Sequence, residues 1–170
     1  MNRTKILLTA LVGFGFASDV GLAQTSASDG ANVVVSVVDG LTLLVDQDLS
    51  FGIAAIGSGV VSVAVTATSA ARVRIYGQQN RVVFVTLTPP ANLVSGSNAV
   101  PYSWAAAYNE AVNDPATATA FASTNASFRL RDLSPPGSAG QAFMWIYGSV
   151  NIGAVPPGTY TGTVAISVTY

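Results

Sequence analysis

The sequence contains no cysteine and no histidine, and only 9% of its 170 residues are charged. Without a thiol or an imidazole there is no disulfide framework, no Ser–His or Cys–His nucleophile pair, and no thiolate or imidazole metal site. What is left for chemistry is hydroxyls, a few carboxylates and a few arginines. Charge is scarce in both signs, seven Lys+Arg against eight Asp+Glu for a net −1. No basic footprint exists to hold nucleic acid, and that partner class drops out. Acid–base catalysis has no support either: the usual base is missing, and Glu110, the only glutamate, has no carboxylate companion nearby in sequence. We therefore expect no enzyme, no cofactor and no metal. The stretch Asp46-Gln-Asp48-Leu-Ser50 imitates the opening of a calcium loop, but its glycine and distal glutamate are not at the required offsets.

Residues 1–23 read as a secretory signal: Arg3 and Lys5 form a positive start, residues 6–17 an apolar core too short to span a bilayer, and Gly21-Leu22-Ala23 a small-residue cleavage site. With it go Arg3, Lys5 and Asp19, which leaves five arginines, no lysine, seven acidic residues and a net −2. Residues 24–30 are small and polar, a flexible leader. Residues 31–170 then form one domain, long enough to bury roughly two thirds of its unfolded surface without covalent staples. No second apolar run of spanning length follows, so a helical membrane protein is not expected.

From residue 31 the rhythm is short alternating runs divided by Gly, Pro, Asn and Asp, which predicts strands and turns. Ala31, Val33, Val35 and Val37 alternate with Asn32, Val34, Ser36 and Val38, and Asp39-Gly40 breaks the run before residues 41–45 resume it. Further strands are expected over 60–67, 72–76, 81–88, 127–132 and 141–150. In the third run Val73 and Ile75 oppose Arg72, Arg74 and Tyr76. Pro89-Pro90 and Pro135-Pro136-Gly137 are stops, because proline supplies no ladder donor. Residues 92–124 mix signals, and we expect an irregular connection there with one strand near Trp104. The clearest strand is 159–170: Tyr160, Gly162, Val164, Ile166, Val168 and Tyr170 on one face, threonine, serine and alanine on the other. With no convincing amphipathic helix, an all-β antiparallel sandwich follows.

The run of residues 31–43, then Asp48-Leu-Ser-Phe-Gly52, then Trp145-Ile-Tyr-Gly-Ser-Val150, then Gly158-Thr-Tyr-Thr-Gly162 with the Val-Thr-Tyr170 ending, resembles the DUF4402 group of bacterial secreted domains, which look related to the spore-coat-U type and archaic chaperone–usher pilins. The spacing from Gly158 to Tyr170 is also similar to the C-terminal strand of chaperone–usher pilins generally, where the aromatic is usually penultimate and here is last. Leu41 stands where many such pilins carry cysteine. The resemblance implies an immunoglobulin-like, pilin-like sandwich lacking one strand and an exported structural role at the cell surface, reached through the periplasm. The partners it implies are a periplasmic chaperone, an outer-membrane usher, and further copies or related subunits in a fibre. It implies that Ala31, Val33, Val35 and Val37 form a donor strand, and that Val164, Ile166, Val168 and Tyr170 line the groove that receives one. The physics is β-augmentation: main-chain bonds supply affinity while alternate side chains fill pockets.

Read from periodicity alone, Val33, Val35 and Val37 fit equally well the first strand of a complete sandwich, which would make the protein an autonomous secreted binding module. A third class, a small outer-membrane barrel, also ends on an alternating strand with an aromatic, but the strands are short, prolines interrupt them, and too few ten-residue alternating segments are present. The signal reading has a direct check: N-terminal sequencing of exported protein should start at or within two residues of Gln24, and recovery of intact residues 1–23 outside the cytoplasm would refute it.

Overall fold

The structure, a computed structural model, describes residues 40–121, 123–132 and 139–170. The signal, the leader, the run 31–37 and the turn at 135–137 lie outside the described residues. Within them the chain is all-β, with ten strands and one short 3-10 turn at Pro115–Thr117. In order these are β1 Thr42–Gln47, β2 Gly59–Val63, β3 Ala71–Gly77, β4 Val82–Thr88, β5 Asn92–Ser95, β6 Asn98–Asn109, β7 Thr119–Phe121, β8 Asn125–Arg129, β9 Gly140–Ile152 and β10 Ala165–Thr169. Every pairing is antiparallel.

They form two sheets of unequal width. The larger runs β1-β3-β9-β6-β5, with β2 also on β9 and β7 also on β6; the smaller runs β10-β4-β8. Alternation decides the facing surfaces. In β3 the inward set Ala71, Val73 and Ile75 is buried while Arg72, Arg74 and Tyr76 are part-exposed; in β4 Val83, Val85 and Leu87 are buried while Val82, Phe84 and Thr86 are exposed. The two inner faces meet in one core with Ala142, Met144 and Ile146 from β9, Phe128 from β8 and the adjoining Leu130. A smaller cluster, Val100, Tyr102 and Val150 with Phe51, Leu93 and Tyr160 against it, fills the far end.

Strand β9 holds both halves together. Its residues 140–146 pair with β3 and 148–152 with β2, while its other edge takes β6. The change of neighbour falls at Gly148, where an added Cβ would collide with the Ser103 carbonyl oxygen and stand 2.9 Å from the Trp104 Cα, so only glycine admits β6 this closely.

Two expectations are corrected. Residues 92–109 are not an irregular connection but the β5–β6 hairpin, and β6 is twelve residues long. Ala105, Ala106 and Ala107 obscured it: Ala106 and Ala107 are both buried, one on each face, so a central strand built of small residues shows no polar alternation. Nor is 159–170 one unbroken strand. Thr161 bridges Val94 of β5, pairing lapses, and β10 starts at Ala165 opposite Thr88. The interval faces Pro89-Pro90, which join β4 to β5 and have no N–H to give.

The parity of the smaller sheet yields a paired test. Phe128 is 3% exposed in the core and Phe84, on the outward face of the adjacent strand, 55%. Phe128→Ala should lower the unfolding free energy by about 3–5 kcal/mol and Phe84→Ala by less than about 1 kcal/mol, as read from urea titrations.

Candidate interaction face

The two flanks of the sandwich are closed differently. On the β6–β8 side Tyr108 stacks on Phe128 with ring centroids 4.6 Å apart, and Phe121 packs beside it at 6.1 Å. Glu110 adds a tie there, accepting the Arg129 backbone N–H at 2.6 Å and the Arg131 guanidinium at 3.2 Å. A shallow cleft of about 510 Å³ lies alongside. Its carboxylate is thus already engaged in joining β6 to the residues of β8 and beyond.

The β1–β10 flank has no such closure. Leu43 pairs with Ile75 and Val45 with Val73, so both point to the inner side, yet they are 39% and 55% exposed. Their partners on β3 are buried to 1% or less. The difference is what lies over them: the smaller sheet has three strands, β10 is its last on this side, and among the described residues none pairs with the outer edge of β10. Val164, Ile166 and Val168 turn inward and pack, part-buried, on the core, while Ala165, Ser167 and Thr169 are exposed. Tyr170 continues the inward set and is 36% exposed. Its hydroxyl accepts the Gln78 N–H at 2.7 Å. An added Cβ on Gly77 would meet that hydroxyl at 2.6 Å and Leu41 Cδ2 at 2.8 Å. Leu41, just before β1, and Tyr170, just after β10, therefore close on the same point over Gly77; β1 runs away from that point and β10 towards it, and the inward aliphatic residues of the two strands bound an apolar slot.

Of the residues singled out from the sequence, the structure brings Val164, Ile166, Val168 and Tyr170 onto one wall of this slot; Ala31, Val33, Val35 and Val37 fall outside the described residues. Sequence reading missed the other wall, Leu43 and Val45. Their alternation is legible, but Leu44, 44% exposed on the opposite side, makes β1 look apolar on both faces.

The edge of β1 is unlike that of β10. Its register slips between Val45 and Gln47, leaving Asp46 as the extra residue of a bulge. The bulge aims Asp46 at the outer face, where Arg74 donates from Nε at 2.9 Å and Nη2 at 2.6 Å and Arg72 from Nε at 3.2 Å. Gln47 Nε2 donates to the Thr68 carbonyl beside it. Asp46, offered by the sequence as a calcium-loop imitation, is thus spoken for by two guanidiniums. A bulged edge resists further pairing; the regular edge of β10 invites it.

No protein-family model, no curated protein and no solved structure matches this chain.

Hydrogen bonding by Arg74 holds the Asp46 carboxyl below its ordinary range, opposed by burial and reinforced by the charges of Arg74 and Arg72. A depressed carboxyl stabilises the fold above the unfolded value of about 3.9 and ceases to do so as pH falls through the lower folded value. At pH 7 Asp46→Asn should melt roughly 2–4 °C below wild type, and the gap should close as the pH is lowered through the depressed titration of the folded-state carboxyl. A gap that stays constant with pH would show that Asp46 acts through packing alone.

Proposed function

We propose that the protein is a non-enzymatic exported structural subunit that assembles into a surface fibre by accepting a strand from a neighbouring copy between β1 and β10. The observation that carries this reading is the exposure of Leu43 and Val45, which point inward but, among the described residues, lie under no strand, beside a regular β10 edge. One added strand would satisfy both deficits, pairing with β10 through its backbone and covering β1 with alternate side chains. Full burial of an aliphatic side chain is worth about 1.5–3 kcal/mol, so covering these two half-exposed residues contributes a few kcal/mol, and the inward valines of the incoming strand with its backbone bonds to β10 must supply the rest of the cost of ordering it. The expected partners are copies of this chain or related subunits, with a periplasmic chaperone and an outer-membrane usher serving export. The resemblance to archaic chaperone–usher pilins drawn from the sequence agrees with this role.

The alternative is that residues 31–38 close their own slot, leaving a monomeric binding module. Parity speaks against the shortest route. Asp39-Gly40 favours a two-residue hairpin, which would pair Val38 with Leu41, Ser36 with Leu43 and Val34 with Val45. Residues directly opposite share a face. That hairpin would put the Ser36 hydroxyl inside and leave Val33, Val35 and Val37 in water. It would also run parallel to β10, the slightly less stable arrangement. A strand from another copy is free to enter antiparallel to β10 with its valines inward.

The test is assembly of the mature chain. Val35→Lys should abolish higher-order species in size-exclusion chromatography and electron microscopy, since an ammonium driven into an apolar slot is desolvated without a partner. Ser36→Lys, on the other face, should assemble nearly as wild type. A wild-type protein that stays monomeric and fully folded at high concentration, with no fibres from the native host, would replace the fibre subunit by the binding module.

A further inference from the structure

We propose that Tyr170 sets the register of the incoming strand by closing one end of the slot, so that Ala31 of a second copy, the smallest inward residue of that strand, must sit beside it. This rests on the strand-exchange reading and adds to it a position-by-position match.

Tyr170 is the bulkiest residue of the inward set on and around β10. Its hydroxyl crosses to the opposite sheet, over Gly77, where it accepts the Gln78 N–H and lies against the space shared by Leu41 and Leu130. Gly77 has no unusual backbone angle to require glycine. It is the approach of Tyr170, Leu41 and Leu130, each within 2.6–2.8 Å of where a Cβ would stand, that forbids a side chain there. The phenol is seated, and the slot narrows at that end.

A strand antiparallel to β10 starts at the Tyr170 end. Opposite residues share a face, so with Val37 beside Val164, Val35 falls beside Ile166, Val33 beside Val168 and Ala31 beside Tyr170. Aliphatic meets aliphatic along the open part, and alanine meets the aromatic where room is least. A slip of one residue turns Asn32, Val34 and Ser36 inward. A slip of two in one direction sets Val33 against the phenol; in the other it brings Asp29 there, a carboxylate with no cation among the residues that close this end. Only one register suits every position. The same geometry places Gly40, where a copy's own leader departs, next to Leu41 and hence next to the end where its acquired strand starts. The acquired strand leaves the slot at the Val164 end towards its donor's Gly40, so each copy meets its two neighbours at opposite ends, a heterologous contact of the kind that builds open assemblies.

The experiment is a cycle of variants in the full mature chain, read by assembly yield and rate under identical conditions. Ala31→Phe should reduce assembly about tenfold or more, because overpacking beside a seated ring is not relieved by local shifts. Tyr170→Ala should still assemble. The double variant should recover most of the loss, whereas Ala31→Phe with Tyr170→Phe, which keeps the ring and removes only the hydroxyl, should not. Should Tyr170→Ala fail to fold, Tyr170→Leu serves the same test with an apolar contact to Leu41 retained. Wild-type assembly matched by Ala31→Phe, or a double variant as impaired as Ala31→Phe, overturns the register assignment and leaves strand exchange standing. Absence of wild-type assembly overturns both.

Discussion

A β-sheet hides its inner face only as far as a second sheet extends over it, and among the described residues the covering sheet is narrower here than the one it covers. Three strands, β10-β4-β8, lie against a sheet whose path is β1-β3-β9-β6-β5. The centre is unaffected: Ile75, Leu130 and Met144 are fully buried. The mismatch falls on the margins. At one margin aromatic rings fill it, Tyr108 against Phe128 and Phe121. At the other, Leu43 and Val45 of β1 face inward and, among the described residues, have no strand above them.

Scarcity of charge sharpens its consequence. Soluble β-proteins guard open edges with lysines, bulges or prolines. The part of the chain expected to be retained after export has no lysine. β1 has its bulge, and the ion pairs of Asp46 with Arg72 and Arg74 hold that bulge in place. β10 has neither device; its outward residues are Ala165, Ser167 and Thr169, small or hydroxylated and none of them charged. The protections are distributed unevenly, and the strand left without them is the one beside the apolar slot.

Much of the fold was legible because most strands are buried on one face only. The alternation of Val73 and Ile75 with Arg72 and Arg74, or of Val83, Val85 and Leu87 with their exposed neighbours, is period two written plainly, and the sandwich follows from it. What could not be read has a common physical cause. β6 is sheet-buried on both sides over Ala106 and Ala107, so its pattern carries no polar phase. The last strand breaks at 162–164 because of prolines seventy residues away, a pairing that no local pattern announces. The candidate site was half legible for the same reason: Val164, Ile166 and Val168 alternate cleanly, whereas Leu43, Leu44 and Val45 do not, and only the pairing with β3 tells which of them point inward.

Leu44, outward beside Arg74, and Leu43 and Val45, inward, are each more than a third exposed, so a strand confined to this monomer would gain little from being aliphatic and would carry an aggregation liability. A polar residue at 43 or 45 would serve an isolated sandwich better. Leucine and valine would become favourable there under a cover, and a strand is the cover the proposal supplies, because the adjacent β10 edge presents backbone donors and acceptors at strand spacing. The segment whose alternation is nearest in kind is residues 31–37 of the same sequence. Folded back by the two-residue turn it would turn Val34 and Ser36 to the slot, whereas supplied from outside it can turn Val33, Val35 and Val37 there. On the proposed reading a second copy would cover this slot with more apolar side chains than the chain's own hairpin, which favours open-ended association over closure.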